Sequence, residues 1–134
     1  MTFPIITARF AALLAIGFVG LSLRTSVLRS STGALQGDNG NDRLQRAVRA
    51  QGNFAEYVPL SLLLVGLIET AGGNTLEIEA LLSALLVARL THPYGMSAPE
   101  GSIQQRIFRG GGAAINWLVL AIAAVQLLSL GWQK

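Results

Sequence analysis

The sequence predicts an all-α integral membrane protein built as a four-transmembrane-helix up-and-down bundle. Three observations carry that expectation. Hydrophobic residues make up 51% of the 134-residue chain and charged ones only 13%, whereas a soluble domain carries about 25% charged residues to cover its surface. Apolar stretches alternate with short connections rich in Gly, Asn, Ser and Pro, the punctuation of a helical hairpin series. The arginines gather at alternate connections, as they do on one side of a polytopic membrane protein.

The first helix is expected over about residues 3–28. From Phe3 to Leu23 it rises roughly 31 Å as a helix, enough to cross the hydrocarbon core, and Phe10–Leu23 carries no charge. The early Pro4, and Arg24 where a small-residue cleavage site would stand, favour a retained span over a signal peptide. Ala11, Ala12, Ala15, Gly17 and Gly20 are small enough to admit a neighbouring helix. A polar connection follows, and Asn41 or Asp42 caps a second helix over about 41–70.

That second helix has two parts. Its first half is basic and amphipathic, with Leu44, Ala47 and Val48 inward and Arg43, Arg46 and Arg49 available to solvent or ligand. Its second half, Tyr57–Ile68, belongs in lipid, and Pro59 should bend the helix. After the Ala71–Thr75 turn, a third helix over about 75–91 is short for a span but must return the chain across the membrane. His92-Pro93-Tyr94-Gly95 is expected to stop it, and Pro99 to keep the chain extended. A fourth helix over about 103–131 carries Gly110–Gly112, read as a close helix contact, and Trp132, read as an interfacial anchor. The whole of 1–134 forms one domain.

Eight of the ten basic residues fall on one side of this bundle, opposite the turn that carries Glu69, Glu77 and Glu79. The positive-inside rule then puts the arginine side in the cytoplasm and both termini outside. The chain has no Cys and one His; the first excludes disulfides, thiolate metal sites and a cysteine nucleophile, and the second argues against a protein-built zinc site, so no metal is expected. A net charge of +3 is compatible with nucleic acid, but arginines clustered between apolar segments are a topology signal, so no nucleic-acid partner is expected. A channel or carrier would show an inverted repeat or a ring of charge through a span, and neither is present.

The stretch with the most chemistry is Arg49–Pro59, RAQGNFAEYVP. On a helix, Arg49, Asn53 and Glu56 share one face where the chain enters the membrane. Polar groups there are either a site or a buried structural Arg–Glu pair. With Arg89, His92, Tyr94, Arg106 and Arg109 at the same end, the cluster suits an anionic ligand with several carboxylates, and Glu56 suits its ammonium group.

RAQGNFAEYVPL resembles the signature of the MAPEG family, the membrane-associated proteins of eicosanoid and glutathione metabolism, in its R-A-Q-x-N-x-x-E-Y-x-P-L form. Helix number, chain length and the basic first loop agree along the chain, and the GDNGN loop looks like the bacterial branch. The resemblance implies a homotrimer in a bacterial inner membrane that binds glutathione between protomers on the cytoplasmic side. Arg49, Asn53, Glu56 and Tyr57 would contact the tripeptide, with Gln51 reaching in from the neighbouring protomer. Arg106 or Arg109 would stabilise the thiolate, and Arg24 or Arg29 would be the cross-subunit arginine of the first helix.

The implied activity is a glutathione transferase, with peroxidase activity as a variant, acting on a lipophilic electrophile from the bilayer. Active relatives carry aromatic hydroxyls near the end of the third helix. Tyr94 is out of that register, and His92 either substitutes as a donor or marks the interface. The alternative is a non-catalytic membrane scaffold, or a binder of a small anion or lipid, on the same fold.

Overall fold

A computed structural model of the chain describes residues 3–131, which contain helices and no strand. Helix α1 spans Ile5–Thr32, α2 Asp42–Thr70, α3 Thr75–Ser97 and α4 Gly112–Gly131; the π-helical segment Gln105–Gly111 leads directly into α4. Both α1 and the helical run Gln105–Ser129 are long and apolar enough to cross a membrane unaided. In contrast, α2 and α3 carry polar groups that need neighbours. They form the centre of the bundle: they pack on each other and each packs on both α1 and α4, while among the described residues no Cα of α1 comes within 8 Å of one in α4. Trp132 and Lys134 lie outside the described residues.

The core is a column of large apolar side chains along the α2–α3 pair. Leu14, Phe54, Val58, Leu85 and Val119 form one buried cluster, and Val65, Ile68, Ile78, Leu82 and Ala123 the next. Of α1, only Thr7, Leu14 and Thr25 are buried. Ile6, Phe10, Phe18 and Leu21 pack partly buried against these clusters, while Leu13, Ile16, Val19, Leu23 and Val27 look outward, as expected of a helix whose solvent is lipid. Gly17 is where α1 comes close, since a Cβ there would lie 3.2 Å from the Leu90 side chain, whereas Gly20 faces open space.

Local chemistry sets the helix ends. The Asn41 side chain accepts the Leu44 N–H at 3.0 Å to start α2, and the Asn74 side chain accepts from Leu76 and Glu77 to start α3. Pro4 offers α1 no such cap. The carboxylate of Glu69, at the far end of α2, instead accepts the Ile6 and Thr7 N–H groups at 2.8 Å each and the Thr7 hydroxyl at 2.7 Å. It joins the end of α2 to the start of α1 and occupies the positive pole of that helix. At the opposite end α1 runs four residues past the expected boundary, to Thr32, and closes on Gly33 at φ 67°.

Two sequence expectations are corrected. Pro93 does not stop α3, which continues to Ser97. Proline removes one amide donor, but His92, Gly95 and Met96 around it are buried, and that packing holds the backbone helical. The helix ends instead before Pro99, where Ala98 takes the extended conformation (φ −69°, ψ 155°) that a following proline favours. The glycine run is also not one contact surface. Gly110 and Gly111 have nothing within 4 Å of a would-be Cβ, and only Gly112 is close, 3.2 Å from the Ala88 carbonyl oxygen. The tightest crossing is at Gly95, where a Cβ would run into the Arg109 backbone nitrogen and lie 2.7 Å from the Phe108 carbonyl carbon. Pro59 lies inside α2 without ending it.

Two outcomes follow for thermal unfolding of purified protein. Glu69→Ala should cost about 1–2 kcal/mol by uncapping α1, while the exposed Glu79→Ala should stay within about 0.5 kcal/mol of the parent. Equal effects would show that the cap contributes nothing. Gly95→Ala should cost about 1–3 kcal/mol, because its neighbours are backbone atoms that cannot rotate away; an unchanged melting temperature would contradict the crossing described here.

Candidate functional site

The arginine end of the bundle is drawn together by side chains that reach across helices. Arg24 donates to the Ser97 hydroxyl at 3.1 Å, tying α1 to the end of α3. Arg46 donates to the Ala98 carbonyl at 3.3 Å. Arg29 turns back on its own connection and donates to the carbonyls of Ala34 and Gly37. Arg24 and Arg29 thus serve as interhelix and loop ties within the protomer.

Behind these ties lie two polar cavities. The mouth cavity, about 470 Å³, is lined by Gln45, Arg46, Arg49 and Asn53 of α2, by Met96 and Glu100, and by Gln105 and Arg109 of the π-helical segment. The inner cavity, about 250 Å³, lies between α2, α3 and the fourth helix. Asn53 and Tyr57 line it from α2, Arg89 and His92 from α3, and Arg109, Gly110, Ala113, Asn116 and Trp117 from the fourth helix. Asn53 and Arg109 line both cavities.

The π-helical register carries Arg109 to this position. Such segments are rare and concentrate at functional sites, because each widened turn re-aims the side chains that follow. Here Arg109 borders both cavities, while the exposed Arg106, three residues earlier, borders neither. The Gly95 crossing supports the segment from beneath, since it brings α3 against the backbone of Phe108 and Arg109.

The inner cavity is unusual for its buried polar groups. Arg89 is 2% exposed and donates from one amino group to the Gly112 carbonyl at 2.8 Å. Its Nε has no partner, and neither do the two amide atoms of Asn116, while the His92 ring lies against the Phe108 and Arg109 backbone. No carboxylate lines this cavity. A buried guanidinium beside unpartnered polar atoms is costly, which makes this cavity a candidate site.

The residues expected from sequence divide accordingly. Arg49, Asn53, Tyr57, His92 and Arg109 come together around the two cavities. Glu56 is exposed on α2 and borders neither. Gln51 looks the other way and donates to Ser22 of α1 at 3.1 Å, so within the protomer it is a helix tie. Tyr94 is 59% exposed and packs edge-on against Phe108 with ring centres 5.2 Å apart, away from the cavities. Sequence reasoning missed Glu100 and Asn116. Glu100 sits in a connection with no periodicity to place it. Asn116, alone in an apolar run, did carry a signal, because an isolated carboxamide at that depth is expensive.

Comparison with known proteins agrees with this architecture. The MAPEG family model matches residues 7–129. The inner membrane protein YecN of Escherichia coli strain K12 is 29% identical over 131 residues, covering 96% of this chain and 95% of the relative. YecN of Escherichia coli O6:H1 strain CFT073 matches to the same extent. No solved structure matches the chain. With four helices, spans of membrane length and a match over nearly its whole extent, the chain belongs to the MAPEG family of membrane proteins.

Proposed function

We propose that the protein is a membrane-bound glutathione transferase that holds glutathione in the mouth cavity and presents its thiol to a lipophilic electrophile. One observation carries the reading: Arg46, Arg49, Arg109, Asn53 and Glu100 converge on a single cavity. Glutathione has two carboxylates, one ammonium group and a thiol. Guanidinium forks match the carboxylates, and a carboxylate matches the ammonium group. Within the protomer that carboxylate is Glu100. In a homotrimer, which the family resemblance implies, a neighbouring protomer would cover the exposed Glu56 face of α2. The mouth would then open to the cytoplasm at a bacterial inner membrane.

Thiol activation follows from Arg109. A free thiol has a pKa near 8.5, and a guanidinium beside the sulfur favours the thiolate. The thiol proton leaves to solvent, and the sulfur electron pair forms the new carbon–sulfur bond to an electrophile arriving from the bilayer. The bond broken at that carbon gives up its electron pair to the departing group or to an opened oxygen or π system, which takes a proton from solvent. No covalent enzyme intermediate is needed. Because Arg109 borders both cavities, it is the thiolate partner in this reading, and Arg106 is not. The positions of Glu56 and Tyr94 favour a second reading, in which the same cavity binds a small anion without turnover.

Calorimetry and the ultraviolet absorbance of the thiolate separate these readings. Purified protein should bind glutathione and develop thiolate absorbance. Arg109→Ala should remove that absorbance and weaken binding roughly tenfold or more, the loss expected for a charge-assisted bond, while Arg106→Ala should leave both close to the parent. Stabilisation by glutathione without a thiolate signal would favour the non-catalytic reading; absence of glutathione binding would end the transferase reading, and stabilisation by another small anion in its place would leave the second.

A further inference from the structure

A third cavity opens where the ends of α1 and α3 meet the start of α2, and glutathione in the mouth leaves it without a role. It measures about 840 Å³, and its lining includes Leu23, Arg24 and Val27 of α1 and Asp42, Arg43 and Arg46 of α2. Three guanidinium groups against one carboxylate make this groove cationic. Arg24 and Arg46 are held by bonds to the Ser97 hydroxyl and the Ala98 carbonyl. Each tie uses one amino group of a five-donor fork, so the side chain is positioned while its other donors stay available. Arg43, in the first turn of α2, is exposed. Forks set in this way match the oxygens of a phosphate group.

The apolar side of the groove points to where that phosphate comes from. Leu23 and Val27 are exposed, and the outward stripe of α1 continues through Val19 and Ile16 toward the middle of the helix. Gly20 lies within this stripe, and a Cβ there would meet nothing within 4 Å, which leaves a notch on the outer face of α1. A phosphate arriving from water has no use for such a track, whereas an acyl chain does. Anionic head groups also gather against the arginine-rich side of a membrane protein and lodge in basic pockets between its spans. We propose that the groove at the start of α2 holds the phosphate of an anionic phospholipid, with an acyl chain along the outward stripe of α1.

The test uses the full chain in detergent micelles without glutathione, so it stands apart from the reading of the mouth cavity. Dioleoylphosphatidylglycerol should bind saturably and raise the melting temperature. Dioleoylphosphatidylcholine, with the same chains but no net charge, should bind roughly tenfold more weakly. Glycerol 3-phosphate, which offers the phosphate without the chains, should give no saturable response over the same concentrations. Equal affinities for the two lipids would overturn the requirement for an anion, and a matching response to glycerol 3-phosphate would overturn the bilayer source.

Arg46 lines the mouth cavity as well, so the variants leave it intact. Arg43→Gln should weaken phosphatidylglycerol binding roughly tenfold, the loss of one charge-assisted bond. Arg106→Gln should leave it at the parental value, because Arg106 is exposed at the same end and borders none of the three cavities. Equal losses in the two variants would mean that this end attracts anionic lipid as diffuse charge, and the site would be overturned. Asp42→Asn removes the carboxylate of the groove and should tighten binding severalfold; an unchanged or lower affinity would contradict the phosphate. Gly20→Leu fills the notch and should weaken dioleoylphosphatidylglycerol, and parental affinity there would overturn the chain's path. Arg43, Asp42 and Gly20 are exposed, so all three variants should fold and melt near the parent in the absence of lipid.

Discussion

The close crossing of α3 against the entry of the fourth helix is the constraint on which the site depends. It is possible only because Gly95 and Gly112 present no side chain at the points of contact. With the helices this near, Arg89 reaches the Gly112 carbonyl, and the backbone of Phe108 and Arg109 rests on Gly95. The π-helical segment is therefore held from one side as it enters the bundle, and Arg109 is carried to the border of both cavities. A bulkier residue at either glycine would separate the helices and weaken this arrangement at once.

The second constraint is electrostatic. Burying an unpaired polar group costs about 1–3 kcal/mol, and a charge costs more. The bundle nonetheless places a guanidinium, an imidazole and a carboxamide together in its inner cavity, with several of their atoms unpartnered. Elsewhere among the described residues, apart from Gln126 Oε1, buried polar side chains find partners. Ser61 bonds the Tyr57 carbonyl, Thr25 the Leu21 carbonyl, and Thr7 the Glu69 carboxylate. The inner cavity is thus where the described part of the fold leaves most of its unpartnered buried polar atoms.

The two ends of the bundle divide the work. At the acidic end, Glu69 caps α1 and Glu77 accepts from Gln126, so carboxylates bind helices to one another. At the basic end, Arg24, Arg29 and Arg46 make the corresponding ties to hydroxyl and carbonyl oxygens. Arg49 and Arg109 remain directed at a cavity. Many arginines in a small membrane protein thus serve topology and architecture, and position alone distinguishes the few that face a site.

Much of the fold was legible in the sequence. Hydropathy and polar breaks marked the helices, the Asn41–Asp42 pair marked the start of α2, and of the face expected to carry Arg49, Asn53 and Glu56, helical periodicity brought Arg49 and Asn53 to one cavity but not Glu56. These features are local, fixed by spacing along a single helix. Where Pro93 and the glycines lead the chain, which of Arg106 and Arg109 borders a cavity, and why Gln51 and Tyr94 turn away were decided only by tertiary structure. Each depends on how closely two helices approach and on a π-helical register set by that packing. Both are properties of contacts between segments distant in the chain, which periodicity within one segment does not encode.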